Sequence, residues 1–152
     1  MIPASTFHWP ARKQAAVSLS FDDGRPSVIG RGLPILNRHG IRGTFYVLPS
    51  AVEQRLPGWR QAVADGHEIG NHTLSHPCSC SYDFSARNAL EDFTLERMEH
   101  ELSGASEALM QRLGVTPSTF AYPCGQSFIG RGEGVSSYVP LVARRFSIGR
   151  GE

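Results

Sequence analysis

At 152 residues the chain has the size of one domain and is long enough to bury a core of its own. A hydrophobic content of 40% with 19% charged residues excludes a disordered segment, and 15 Lys and Arg against 14 Asp and Glu, with no basic block, exclude the electrostatic footprint of a phosphate-backbone partner. No apolar run approaches the ~20 residues that a membrane span needs.

The opening MIPASTFHWPARKQ carries no apolar stretch of the kind found in a secretory leader. Three cysteines, Cys78, Cys80 and Cys124, are an odd count in a domain that needs no disulfide framework, so the plain reading is free thiols in a reducing, cytoplasmic compartment. Ala15 to Phe21, a short apolar run ending at Asp22-Asp23-Gly24, predicts a buried strand that stops at a turn. Val28, Leu33, Ile35 and Leu36 outline an apolar helix face before Gly40, weakened by Gly30, Gly32 and Pro34. Ile41 to Leu48 reads as a second strand closed by Pro49, and Gln54 to Ala64 as a helix.

His67 to Gly70 is a brief strand, followed by a Pro-, Ser- and Asn-rich loop that holds His72 and His76. From Ala89 to Leu113 the residues Leu95, Met98, Leu102, Ala105, Leu109 and Leu113 recur at steps of three and four, which predicts a core-packed helix stopped by Gly114. Ser118 to Tyr122 reads as another strand, Ser136 to Arg145 as a helix, and the last residues as one more strand. Alternating strands and helices predict a parallel α/β sheet or barrel, and no internal repeat is present.

Three segments stand at the carboxyl ends of these strands, where parallel α/β folds place their active sites. Adjacent carboxylates Asp22 and Asp23 point in different directions, so one can bind a metal while the other acts as a base; a solvated Asp-Gly turn is the alternative. His72 and His76, four positions apart, share one face of a helical turn and suit a common metal, or are two surface histidines in a polar loop. Asp23 with His72 and His76 would give three protein ligands and open positions for water and substrate, as in catalytic zinc sites. In the third segment, Pro123 and Gly125 flank Cys124 and hold the backbone in a shape from which an N–H can point into a cleft.

In that order SFDDG, HTLSH and YPCG resemble the motifs of the polysaccharide deacetylase family, the carbohydrate esterases that share the domain of the nodulation chitooligosaccharide deacetylase; GTFYV at Gly43 to Val47 and GHEIGNHT at Gly66 to Thr73 extend the resemblance. The resemblance implies a distorted, incomplete (β/α) barrel spanning 1–152 as a single domain. It also implies a metal-dependent hydrolase that removes acetyl groups from N-acetylated or O-acetylated carbohydrate. By position Asp22 is the general base, Asp23, His72 and His76 hold a divalent metal, most simply Zn²⁺, and the Cys124 backbone N–H meets the oxyanion, with Tyr122 and Pro123 against substrate.

Two departures stand out. The family's third-motif Arg, which holds the catalytic Asp, is Ala121 here, with Arg25 as a substitute cation. The later motifs that supply the general acid have no counterpart before Glu152, which implies a C-terminally incomplete chain with apolar surface exposed at Val142, Phe146 and Ile148 and a tendency to self-associate. His8, His39, His67 and His100 match no motif. Cys78, Cys80 and Cys124 are secondary metal-ligand candidates. The alternatives are a non-catalytic, metal-containing carbohydrate-binding or regulatory relative, or a hydrolase of small cyclic amides with the same fold.

Overall fold

The structure, a computed structural model, describes residues 13–151; His8 lies outside them. Five parallel strands, β1 (Ser20–Phe21), β2 (Thr44–Val47), β3 (Glu68–Asn71), β4 (Thr119–Ala121) and, from near the end of the chain, Ile148–Arg150, lie side by side in that order. Between β4 and the last strand the chain adds a small antiparallel hairpin, β5 (Phe128–Ile129) and β6 (Ser136–Ser137), so the last strand is β7. Edge strands β1 and β7 are nonetheless bridged by an ion pair between Asp22 and Arg150, so the sheet is curled into a half-barrel whose two rims face each other.

Alternation decides which way each residue faces. Phe21, Phe45 and Ile69 lie in one register row; Phe45, Val47 and Ile69, fully or nearly fully buried, turn outward beneath the helices. They pack with Leu33, Leu36, Val52, Trp59 and Leu109 into one apolar cluster, in which the Phe45 ring stacks on Phe21 and meets Trp59 edge-on. A second cluster, around Met98, Leu102, Phe120, Tyr138 and Val142, covers the β4 side. Thr44, Tyr46, Glu68, Gly70, Thr119, Ala121 and Arg150 take the inner face.

The helices are α1 (Leu33–Arg38, preceded by a wider turn over Val28–Gly32), α2 (Pro49–Gln54), α3 (Leu56–Ala64), α4 (Leu95–Leu113) and α5 (Val139–Arg145). Pro34 and Pro49, which read as breakers, start helices, as do Pro57 and Pro140: each occupies a first-turn position, where the missing N–H has no partner to lose. This corrects three expectations. The helix expected at Gln54 to Ala64 is α3, which begins at Leu56, Gln54 being the last residue of α2; the one expected from Ser136 begins at Val139, and Pro49 opens α2 as well as closing β2.

Helix α4 begins at Leu95 instead of Ala89, because Thr94 Oγ1 accepts the Arg97 N–H as an N-cap while Leu90–Asp92 forms a separate turn. It ends as expected at Gly114, in the left-handed conformation at φ 69°. The expected seven-residue first strand shortens to Ser20–Phe21, since its one sheet neighbour among the described residues, β2, begins at Thr44, opposite Ser20. Val142 and Phe146 are buried in the second cluster and only Ile148 is exposed, so the expected apolar rim is largely covered by α5 and β7 themselves.

Candidate metal centre and active site

All three motif segments meet at the carboxyl end of the curled sheet. Among the described residues, the non-glycine positions with positive φ are Asp23, Thr73, His76 and Cys124, all in these segments. Such conformations cost on the order of 1–3 kcal/mol each and persist where the surroundings over-determine them. After β1, Gly24 at φ 71° lies so close to Ala51, Val47 and Trp59 that a Cβ would stand 3.1–3.3 Å from them; this tight turn swings Asp23 toward the histidines.

The loop after β3 is anchored to α4. Asn71, fully buried, donates through Nδ2 to Leu102 O (2.9 Å) and Ser106 Oγ (2.9 Å) and accepts the Thr73 N–H (2.8 Å). Glu101 accepts the N–H groups of Leu74 (2.9 Å) and Ser75 (2.8 Å) and the Ser75 hydroxyl (2.7 Å). Thr73 Oγ1 accepts the His76 N–H at 3.0 Å, closing the turn that carries both imidazoles on one side. Sequence reasoning missed Glu101 and Asn71; the legible signal was a carboxylate between Met98 and Leu102 on the apolar face of α4.

Asp23 Oδ1 lies 3.4 Å from His72 Nε2 and 3.3 Å from His76 Nε2. His72 is buried, and its Nδ1 lies 2.9 Å from the carbonyl oxygen of Ala121; a carbonyl can only accept, so Nδ1 carries the proton and Nε2 presents a lone pair to Asp23. Burial pushes the His72 pKa below its ordinary value, which keeps the ring neutral. With His76 in the same tautomer, acceptor atoms converge where they repel one another unless a cation lies between them. Four ligands at 2.0–2.2 Å around a tetrahedral ion stand about 3.4 Å apart, so these side chains fit a divalent metal in both chemistry and spacing. The Ala121 carbonyl fixes the tautomer of His72, as an outer partner does for a histidine that holds a metal.

Asp22 stays outside that cluster and pairs with Arg150 of β7. Arg25, the substitute anticipated for Asp22, instead grips Asp23, at 3.1 and 3.0 Å from its Oδ2, because the turn at Asp23 brings that carboxylate round to it. Arg150 was missed as well. It stands opposite Ala121 in the β4–β7 register, so a guanidinium from the neighbouring strand enters the inner face where β4 offers only a methyl. Its guanidinium lies over the Tyr46 ring, 5.2 Å from the centroid, and that ring crosses Gly70 so closely that a Cβ there would stand 2.4 Å from it. Asp22 Oδ1 is buried with no hydrogen-bond partner among the described residues.

Cys78 and Cys124 form a disulfide that ties the histidine loop to the third motif, and Cys80 is free and exposed. This corrects the expectation of free thiols. It also withdraws Cys78 and Cys124 as metal ligands, although both lie close to His76, because each sulfur is spent on the other. Tyr122 and Pro123, expected against substrate, are buried: the Tyr122 ring packs against Phe120 and Tyr138 on the outer side, one residue out of phase with Ala121. Cys124 does border a cavity of about 340 Å³, with Asp22, Asp23, Arg25, His72, His76, Tyr82 and Phe84.

The sequence profile of polysaccharide deacetylases matches residues 10–130, and the chain belongs to this family. It is 28% identical over 116 residues to the peptidoglycan-N-acetylglucosamine deacetylase PgdA of Listeria monocytogenes, covering 76% of this chain and 22% of that protein. To the chitooligosaccharide deacetylase of Azorhizobium caulinodans it is 29% identical over 119 residues, covering 78% of this chain and 46% of the other. Among solved structures, the Streptococcus pyogenes deacetylase PplD superposes with a TM-score of 0.72 at 21% identity, over 95% of this chain and 58% of that one. The chain therefore spans about half or less of the curated relatives it matches. The half-barrel agrees with the expected incomplete barrel.

Proposed function

We propose that the chain carries the metal and base of a hydrolase that removes acetyl groups from N-acetylated, or O-acetylated, carbohydrate. The observation behind this reading is the convergence of three acceptor atoms, from Asp23, His72 and His76, beside a second carboxylate that stays out of the cluster. The names of the Listeria and Azorhizobium relatives support acetylated amino sugars as the substrate class.

Asp23, His72 and His76 would hold a divalent metal, zinc by the donor set, which supplies Lewis acidity at the acetyl carbonyl and a water acidic enough to ionise near neutral pH. Asp22 takes the proton from the attacking water, while Arg150 pairs with its Oδ2 and holds the carboxylate in place beside the cluster. The Cys124 N–H, turned by the positive φ at that residue, donates to the carbonyl oxygen as negative charge develops on it. The water oxygen leaves in acetate, and its proton ends on the departing nitrogen or oxygen of the sugar.

Full-length protein is expected to bind one zinc per chain and to release acetate from N-acetylglucosamine oligomers, peptidoglycan fragments or acetylated xylan, with loss on chelation and recovery on zinc addition. Metal stoichiometry unchanged in His72→Ala and His76→Ala overturns the ligand set. Metal bound without acetate release from any of the three substrates identifies a non-catalytic relative.

A further inference from the structure

His76 faces two sets of donor atoms. Its Nε2 points to Asp23, whereas Nδ1 lies 3.7 Å from Cys78 Sγ, at the bond that joins Cys78 to Cys124. A ring nitrogen of His76 and the two sulfurs lie within 4.8 Å of one another, so imidazole and sulfur donors are gathered beside the first cluster. In the oxidised form each sulfur is engaged by the other, and the disulfide alone keeps this second set from binding a cation.

Hydrogen bonds hold both loops independently of that bond. Ser85 Oγ, in a residue 2% exposed, accepts the Cys78 N–H (2.9 Å) and donates to the Cys78 carbonyl (2.7 Å), which also accepts the Leu90 N–H (2.9 Å). Beyond Cys124, the Gly125 N–H donates to Tyr122 O (2.9 Å), the Gln126 N–H to Pro123 O (3.1 Å) and the buried Tyr138 hydroxyl to Gln126 O (2.5 Å). The Ser79 N–H donates to Gln126 Oε1 at 2.7 Å and so ties one loop to the other. Opening the disulfide therefore leaves two sulfurs still facing each other and His76. Cys124 is half-buried and borders the cavity of the metal centre, which gives a small thiol a route to the bond.

We propose that reduction of the Cys78–Cys124 disulfide creates a second metal site, for a thiophilic divalent ion, from both sulfurs and His76 Nδ1, and that this site takes His76 away from the first. A dithiol supplies two electrons and two protons, becoming a disulfide itself; the thiols of Cys78 and Cys124 then release those protons to water as both sulfurs bind the metal. Bonds of ~2.3 Å to sulfur and ~2.0 Å to nitrogen set the two atoms about 3.6 Å apart around a tetrahedral zinc ion, close to the 3.7 Å between Cys78 Sγ and His76 Nδ1. Soft sulfur donors suit zinc better than a carboxylate does. A neutral imidazole has one lone pair, so a ring that ligates through Nδ1 no longer offers Nε2 to the Asp23 and His72 side. The consequence for activity rests on the deacetylase reading; the sulfur site itself does not.

The test uses full-length protein carrying Cys80→Ser, which removes the exposed free thiol and no proposed ligand, with cobalt(II) as the probe. Oxidised protein is compared with protein reduced by a dithiol and then freed of it under argon, alkylation confirming that both thiols are open. Reduced protein is expected to bind one cobalt per chain with a near-ultraviolet thiolate-to-cobalt band that the oxidised form lacks. His76→Ala should weaken cobalt binding to the reduced form by roughly tenfold or more, the least that loss of an outer partner costs, whereas His72→Ala should leave it unchanged. No thiolate band despite open thiols overturns the proposal. So do two cobalt ions per reduced chain, or an affinity unmoved by His76→Ala. Collapse of the amide dispersion in the NMR spectrum on reduction also overturns it, because the loops would then depend on the bond. With zinc in place of cobalt, acetate release is expected to fall on reduction and return on reoxidation, and equal release by both forms overturns the transfer of His76. If neither form releases acetate while the band is present, the sulfur site stands and only the deacetylase reading fails.

Discussion

The outer face of the sheet sets Phe45, Val47, Ile69 and Phe120 against helices in two apolar clusters, whereas its inner face carries Thr44, Tyr46, Glu68, Thr119 and Arg150. Polar contacts hold the inner side together: Glu68 accepts the Thr44 hydroxyl at 2.6 Å and the Thr119 hydroxyl at 3.0 Å, joining three strands, and Asp22 with Arg150 joins the two rims. Outer-face burial removes apolar area from water at roughly 25 cal/mol per Å², while each hydrogen bond nets only about 1 kcal/mol after its exchange with water. One face therefore stabilises the fold and the other is free to be shaped for chemistry. Damage to the two faces should be separable.

The largest effect is expected at the inner rim. Asp22→Asn should keep its metal and lose about 10²- to 10⁴-fold in turnover, because a base is needed for proton transfer and not for metal retention. Elemental analysis beside acetate release checks this, and equal metal loss in Asp22→Asn and Asp23→Asn contradicts the division of roles. On the outer face Phe45→Ala should cost about 3–5 kcal/mol of stability by leaving a cavity between Phe21 and Trp59. Urea unfolding measures it. Metal bound per folded molecule should be unchanged, and a parallel loss of metal would show that the faces are coupled.

Arg150 sharpens the comparison, since it belongs to the inner face yet touches no proposed metal ligand. Arg150→Ala is expected to lower kcat about 10- to 100-fold with metal retained, the range seen when an outer partner of a site is lost. Returning an arginine to the inner face through Ala121→Arg in that background should recover part of the loss; steady-state kinetics on both variants decides it.

The smallest expected effect concerns pH. His67 is buried, accepts the Gly43 N–H through Nδ1 at 3.2 Å and lies 2.9 Å from Asn37 Oδ1 through Nε2, so it is held neutral. Burial, and then the charge of Arg42, lower its pKa below the usual 6.5. A depressed folded-state value means that the unfolded chain takes up the proton first. Stability present above pH 6.5 is therefore lost as pH falls below it, at no more than about 1.36 kcal/mol per pH unit for this one group. His67→Gln should flatten the change in urea midpoint between pH 7 and pH 5.5, and an unaltered slope would assign the acid sensitivity elsewhere.

Much of this was legible in the order of residues. The α4 stripe, the Gly114 stop, the parallel strand succession and the grouping of Asp22, Asp23, His72 and His76 at strand ends all follow from local periodicity and turn chemistry, which neighbouring residues express without help from the rest of the chain. Helix starts were read less well, because a proline both ends one element and begins the next, and only the backbone around Arg55 and Tyr138 shows which. Other features needed the tertiary structure. Arg150 reaches Asp22 across 128 positions of sequence, the Cys78–Cys124 bond spans 46, and the N–H groups that Glu101 accepts lie 27 and 26 positions before it. Local sequence dictates dihedral preferences and the alternation of faces; which polar groups then meet depends on how far the sheet curls, a property of all five strands together.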